Sequence, residues 1–312
     1  MKALPYASTA DSHIAHLVRR HRQHSSPLAA IGPYLYLAPA MILVAGFLLY
    51  PALDTAYLSL TNAHGVSQPK FIGFENYAAF FTDPAVITSL ENTLVWVIAT
   101  LLFPVGLGLA VAVLVNRIPG ENLFKSIFYL PYAVSLTSTG VLWSFILSPY
   151  GVLNAFLGAV GLGRWAISWL IVPPANTYAM IGATTWQSMG TNMVLFLVGL
   201  KSIPAEPVEA ARVDGAGNWQ TFRSVTWPLL RPFTAIVVAM AVINSFKVFD
   251  IIWVMTQGGP YRSSETLAVT MYRDAFVLFQ SGYGSAIAMF LSAIVISLTV
   301  VLLRTSLREE VA

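Results

Sequence analysis

Six apolar runs constrain this sequence more than any other feature. They fall at about residues 34–58, 93–115, 123–147, 178–200, 233–255 and 283–303. About 20 residues of helix cross the hydrocarbon of a bilayer, and a helix satisfies its own backbone hydrogen bonds where no water is present. Proline occurs inside several runs, at Pro39, Pro51 and Pro104 among others. Membrane helices tolerate it when neighbours satisfy the freed backbone groups. The expected fold is therefore an all-α integral membrane protein with six transmembrane helices. Composition agrees, since only 10% of the 312 residues are charged, against about 25% in soluble domains.

Residues 1–32 are polar and basic, with Lys2, Arg19, Arg20, Arg22, His13, His16, His21 and His24. The apolar stretch that follows is too long for a signal peptide and lacks a suitably placed cleavage site. The histidine spacing makes only a ragged helical face, so a cytoplasmic tail is expected rather than a metal site. The absence of cysteine excludes a disulfide framework and thiolate chemistry. Residues 151–174 carry Trp165 and Trp169 and end at Pro173-Pro174, the pattern of an interfacial segment with aromatic anchors or a re-entrant piece.

Cationic residues set the orientation. With the N-terminus inside, twelve of the seventeen lysines and arginines lie on the cytoplasmic side. Only Lys70, Arg164, Arg262 and Arg273 lie outside, and Lys247 falls within a span. Both termini are thus expected in the cytoplasm. The expected organisation is a tail (1–32), a transmembrane domain (33–307) and a short C-terminal tail (308–312).

The longest cytoplasmic connection between spans, 201–231, is charged and punctuated by turns. Pro207 suits the first position of a short helix, residues 208–214 favour helix, and Gly215 supplies a left-handed stop. Asn218 is placed to cap a second helix, 219–226, that ends before Pro228. Val208, Ala211 and Gly215 form a face small enough for another protein to approach, with Glu209, Arg212 and Asp214 adding charge.

The stretch EAARVDGAGNWQTFRSVTWPLLRP, residues 209–232, closely resembles the EAA loop of ATP-binding-cassette importer permeases. Glu209, Ala210, Ala211 and Gly215 fit that pattern and Pro228 closes it. Val225 and Trp227 replace the usual isoleucine and leucine. The segments FIGFENYAAFFTDPAVITSLENTLVWV (71–97), LPYAVSLTSTGVLWSFI (130–146) and SFKVFDIIWVMTQGGP (245–260) are similar to the carbohydrate-uptake branch, of the maltose-permease-F and glycerol-phosphate-permease-A type. The resemblance covers most of 33–307.

It implies a bacterial inner-membrane permease of a binding-protein-dependent importer, with the loop seated as a coupling helix in a cytoplasmic ATPase. Glu209, Ala210, Ala211, Arg212, Asp214, Gly215, Ala216 and Asn218 would make that contact. It also implies a second permease subunit, two ATPase copies and an extracytoplasmic solute-binding protein. No G-x-x-x-x-G-K-[ST] phosphate loop occurs in this chain, so ATP and magnesium are assigned to the partner ATPases, no cofactor to this chain, and no catalytic residue is expected.

Polar residues inside spans are costly and mark functional sites. Asn244, Lys247 and Asp250, with Phe246 among them, lie on roughly one face of the fifth span, and Lys247 and Asp250 are spaced for an ion pair. Thr185, Trp186, Gln187, Ser188 and Asn192 bring an aromatic ring and amides to the fourth. Rings and two-sided hydrogen-bonding groups are what sugar recognition needs, although amides also join helices to one another. Gly106, Gly108, Gly284, Ser285, Ala286 and Ala288 suit close helix packing. Substrates weighed are a mono-, di- or oligosaccharide, or else glycerol-3-phosphate or a related polyol or phosphodiester. An ion-coupled transporter fits poorly, because Asp250 is the sole good mid-span carboxylate and the halves show no repeat. A membrane enzyme fits worse, because His64 is the one histidine outside the tail.

Overall fold

The computed structural model describes residues 27–116 and 118–309, with the side chains of 36–116, 118–301 and 304. The basic tail with its histidines, and Arg117, lie outside the described residues. The chain divides into two compact units, Met1–Asp54 and Thr55–Ala312. The first contains most of helix α1, residues 27–58, which passes through a π-turn at Ala45–Leu49. None of the described side chains of 36–54 is buried within this unit.

The second unit is helical throughout its regular elements. It comprises α2 (Glu75–Phe80), α3 (Pro84–Val115), α4 (Glu121–Tyr129), α5 (Leu136–Ile146), α6 (Val152–Ala159) and α7 (Ala175–Ser202). Then follow α8 (Ala205–Val213), α9 (Asn218–Phe246), α10 (Asp250–Met255), α11 (267–277) and α12 (Ser281–Glu309). Among the described residues, four helices are both long and apolar enough to cross a membrane: 36–58, 84–115, 218–246 and 281–301.

The other two expected spans differ from the sequence reading for local reasons. The third, 123–147, is broken. Proline lacks an N–H and clashes with the preceding turn, so Pro131 ends α4 in a short 3-10 turn, Leu130–Ala133. Val134 is then extended, and Ser135 restarts the chain by accepting the Ser138 N–H at 3.1 Å. The fourth lies in α7, which at 28 residues is about 42 Å long but carries many polar side chains. The fifth, 233–255, is also interrupted, at Lys247–Phe249 between α9 and α10.

Two further expectations shift. The second helix of the 201–231 loop does not stop before Pro228. A π-turn at Phe222–Thr226 absorbs the missing donor, and the helix runs on to Phe246. Asn218 is the first helical residue rather than the cap, which is Gly217. Residues 151–174 fold into α6 and a 3-10 turn, Gly163–Trp165. Asn154 pins them together, donating to the Ile167 carbonyl at 2.9 Å and accepting from Trp169 Nε1 at 2.8 Å.

Three hydrophobic cores lie in the second unit; one joins Phe80, Val86, Leu267 and Ile287, and the other two lie along α7. The first of these two joins Trp96, Leu147, Met180, Ala183, Ile251, Ile252 and Val269, near the start of α7. The second joins Val105, Ala112, Met193, Phe196, Leu200, Leu230 and Val237, near its end. Backbones approach closely between them. A Cβ on Gly190 would fall 1.8 Å from the Phe128 carbonyl oxygen, and one on Gly108 would fall 2.7 Å from Asn192. Gly284 similarly meets Ala275, whereas Gly106 faces only a carbonyl of its own helix.

Candidate functional site

A cavity of about 590 Å³ separates the two cores along α7. The chain interruptions meet there. Tyr132, Val134 and Ser135 come from the break between α4 and α5, and Lys247, Val248 and Phe249 from that between α9 and α10. The π-turn of α3 at Leu101–Val105, which accommodates Pro104, follows directly on Trp96 and Thr100 in the same wall. Continuous α7 supplies Thr184, Gln187, Ser188, Thr191 and Asn192.

Broken helices free backbone carbonyls that must find partners away from water. Gln187 Nε2 donates to the Val134 carbonyl at 3.2 Å, and Thr266 Oγ1 to the Val248 carbonyl at 2.9 Å. Each interruption is thus held by one side chain. What remains lining the space is mixed: indole and phenol rings, hydroxyls, amides and one charge of each sign.

Six of the nine residues expected on the pathway line this cavity: Gln187, Ser188, Asn192, Asn244, Lys247 and Asp250. Gln187 is buried and its amide N–H is committed to Val134, which makes it a support of the wall. Asn244, Lys247 and Asp250 are exposed on one face. The i, i+3 spacing of Lys247 and Asp250 does not yield an ion pair, because the helix breaks between them. Lys247 instead closes the C-terminal end of α9 and Asp250 opens α10, where their charges suit the local backbone dipoles. Three residues lie elsewhere. Thr185 donates to its own helix at Ile181, Phe246 is packed in the interior, and Trp186 meets the edge of Trp143 at 6.0 Å. Tyr132, Ser135, Thr184 and Thr191 escaped the sequence reading. The signal was Pro131 with the capping Ser135, which marks a break rather than a span.

At the far end of α7, α8 closes in a Schellman turn. Gly215, with φ at +82°, donates to the Arg212 carbonyl, and Ala216 donates to that of Ala211, both at 3.0 Å. Val208 packs on the second core and Ala211 is half-buried. Val208 and Ala211 therefore turn inward, whereas Gly215 is exposed together with Glu209, Ala210, Arg212, Val213 and Asp214. Val213 is 87% exposed and Trp219 is 72% exposed, two apolar groups that the sequence reading did not single out. Beside the loop, Glu121 joins Lys125 and Lys201, the latter at 2.6 Å. These two ammonium groups hold the Glu121 carboxyl down to about 2.

The opposite end carries a rigid loop, 256–266. Glu265 is fully buried and accepts from Arg262 Nε at 2.8 Å, Arg273 Nε at 2.5 Å and Thr270 Oγ1 at 2.9 Å. Asn92 donates to the Ser263 and Glu265 carbonyls at 2.8 and 2.9 Å, and Asn176 to that of Gly259 at 3.0 Å. Tyr261 stands wholly exposed at the tip.

A helical unit with broken spans around a polar cavity, one loop free at each end, is the architecture of a membrane permease. Residues 103–311 match the family described as binding-protein-dependent transport system inner membrane component, and the chain belongs to it. It is 33% identical to the osmoprotective compounds uptake permease protein GgtC of Synechocystis sp., over 88% of this chain and 99% of that one. It is 34% identical to the sn-glycerol-3-phosphate transport system permease protein UgpA of Agrobacterium fabrum, over 86% and 92% respectively. In fold it matches a chain of a bacterial ABC transporter involved in the import of the acidic polysaccharide alginate. The TM-score is 0.80 at 24% identity, covering 90% of this chain and 97% of that one.

Proposed function

We propose that this chain is one of two permease subunits in an ATP-driven importer of a sugar, forming half of the translocation pathway. The observation that carries this reading is the cavity at the helix breaks. Its hydroxyls and amides suit both sides of a sugar hydroxyl, and its rings suit apolar C–H faces. Asn244, Lys247 and Asp250 are exposed at its edge, and charges at that depth require water or protein, not lipid. A second permease subunit supplies the facing wall.

In this reading the chain crosses the cytoplasmic membrane six times, with both termini inside and the 201–231 loop in the cytoplasm. Two ATPase subunits, which hold ATP and magnesium, receive α8 through Glu209, Ala210, Arg212, Val213 and Asp214. Ala211, Gly215, Ala216 and Asn218 set the turn. ATPase closure pulls α8, and Val208 carries that motion into the second core. The interruptions at the cavity let the two cores shift relative to each other, exchanging access between the faces. An extracytoplasmic binding protein delivers substrate at the other end.

The test is uptake by the assembled transporter in proteoliposomes. Glu209→Lys is expected to abolish substrate-stimulated ATP hydrolysis and uptake while the subunits still insert. Normal stimulation would rule out docking through α8. Asn244→Ala is expected to raise the half-saturating sugar concentration, and unchanged uptake kinetics would remove it from the pathway.

A further inference from the structure

The rigid loop at 256–266 rests beside a carboxylate that the transport reading does not use. Asp274 lies in the π-turn Arg273–Val277 of α11, between the fifth and sixth expected spans and outside both. It is 3% exposed, and among the described residues its Oδ2 has no hydrogen-bond partner. The backbone beside it has no room to move, since a Cβ on Gly284 of α12 would fall 2.8 Å from the Ala275 nitrogen.

Five groups that titrate or carry charge face Asp274. Arg262 and Glu265 approach from the loop, Arg273 from its own helix and Asp83 from the start of α3. The fifth is Tyr283 of α12, whose hydroxyl donates to Asp83 at 3.1 Å. With all carboxyls ionised, three carboxylates meet two guanidinium groups, one negative charge in excess. The guanidinium groups are already engaged. Both Nε atoms donate to Glu265, and Arg273 Nη2 donates to the Gln257 carbonyl. The contact left for Asp274 is Arg262 Nη2, itself without a hydrogen-bond partner and 4.0 Å from Oδ2, too far for a hydrogen bond.

We propose that Asp274 is a proton-operated latch on the 256–266 loop. A proton on Asp274 removes the excess charge and leaves Arg262 to Glu265, the arrangement seen in the structure. Without it, a buried anion that lacks a hydrogen bond draws Arg262 Nη2 toward itself or admits water. Either response weakens the Arg262–Glu265 bond that ties the loop down. Strain in the loop favours release. Tyr261 and Arg262 are held in the left-handed region, at φ +50° and +65°, which non-glycine residues keep only when their surroundings impose it. Tyr261 is wholly exposed at the tip, so the proton sets how firmly one aromatic side chain is presented at that end. The latch stands on the loop geometry alone; that its release affects delivery of substrate rests on the transport reading.

Burial, opposed by Arg262 and assisted by Glu265 and Asp83, raises the Asp274 carboxyl from 3.8 to about 6. A native value above the ordinary one makes the closed loop most stable at low pH. That stability is lost as pH rises from about 3.8, and the loss levels off above about 6.

The assembled transporter in detergent would be followed by hydrogen exchange from pH 5 to 7.5. Each rate is normalised to the intrinsic rate at that pH, with α7 peptides as the internal reference. Protection of peptides covering 256–266 is expected to fall about tenfold over that range, most of it below about pH 6.5, while α7 holds. Asp274→Asn, neutral at every pH, is expected to keep at pH 7.5 the protection that the wild type has at pH 5. Asp83→Asn preserves the cap on α3 but removes a like charge, so the fall should move to lower pH. The proposal is overturned if wild-type loop protection does not change with pH relative to α7, or if it rises with pH. It is overturned too if Asp274→Asn keeps the wild-type dependence, which would assign the titration to another group such as His64, whose ring meets the Phe279 carbonyl at 3.2 Å. Should Asp274→Asn fail to assemble, Asp83→Asn decides, and an undisplaced profile there overturns the proposal. Sugar uptake is not the readout, so failure here leaves the transport reading standing.

Discussion

Replacing Glu265 by glutamine is expected to loosen one loop and little else. The side chain is almost isosteric, so shape is kept and charge is lost. In the native protein the carboxylate takes two guanidinium hydrogen bonds and one hydroxyl bond, at 2.8, 2.5 and 2.9 Å, with its own atoms fully buried. A glutamine oxygen can still accept, but its amide N–H₂ then faces an Arg N–H, donor against donor. A hydrogen bond to a charged group contributes about 1.5–3 kcal/mol, and breaking a buried ion pair costs about 3–5 kcal/mol. Arg262 and Arg273 are roughly a quarter to a third exposed and regain some hydration, which favours the lower end, about 3 kcal/mol. The loop amides of Gly259, Ser263, Ser264 and Glu265 are bonded within the loop itself. If they exchange by local opening, the loss corresponds to roughly a hundredfold faster hydrogen exchange, at about 1.4 kcal/mol per decade. Exchange of peptides covering 256–266 would be compared with peptides from α7 in the same sample. Unchanged protection in the loop, or an equal rise in α7, would refute the assignment of Glu265 as the loop's anchor.

Gly190→Ala is expected to prevent assembly, because the new Cβ would sit 1.8 Å from a backbone oxygen of α4 that no side-chain rotation can move. Gly182→Ala, in open space, should fold normally and gain about 0.5–1 kcal/mol of helix propensity; equal yields of the two on gel filtration would contradict this. Gln187→Leu leaves the Val134 carbonyl unpaired, at a cost of about 1–3 kcal/mol. It should lower the unfolding temperature in detergent while leaving the half-saturating sugar concentration near that of the wild type, and a shift confined to sugar affinity would make Gln187 a substrate ligand after all. Glu121 has its native pKa depressed to about 2 by Lys125 and Lys201. Its stabilising effect is therefore complete above the ordinary carboxylate range near 4.5 and is lost as pH falls from there toward 2. The gap in thermal stability between wild type and Glu121→Gln should be constant from pH 8 to 5 and narrow below about 4.5; a gap that opens on acidification would reverse the argument.

The sequence made the apolar helices and the α8 turn legible because each rests on local chemistry. Runs of about 20 apolar residues have one solution in lipid, and Gly215 was placed as the left-handed stop by the helix formers ahead of it. The interruptions at 130–135 and 247–249 were not legible in the same way. Their flanks are apolar enough to read as one span, and what stabilises each break is a remote side chain, Gln187 for Val134 and Thr266 for Val248. The pathway residues were half visible for the same reason. Periodicity put Asn244, Lys247 and Asp250 on one face. It could not show that the helix breaks between the two charges, or that Trp186 turns toward Trp143. The inward turn of Val208 was not legible because small apolar residues suit contact with any neighbour, and here its neighbour is the protein's own second core.

The polarity of α7 has a consequence for how the chain reaches the membrane. Like α3, it is a long helix that touches both cores and the cavity, yet unlike α3 it is not among the four apolar enough to cross on hydropathy alone. Thr184, Gln187, Ser188, Thr191 and Asn192 face the cavity, and each makes transfer into lipid less favourable for an isolated helix. On the six-span reading, α7 partitions alone less favourably than the four apolar helices and gains most from company. Gly108 of α3, already inserted, offers close contact on one side; Leu230 and Phe233 of α9, not yet synthesised, close over Gly199 on the other. Chains stalled between Ser202 and Trp227 would then hold α7 only loosely. Quality control of this permease would be exerted at that stage of synthesis, and substitutions in α9 would be read by the cell as insertion defects in a helix they do not alter.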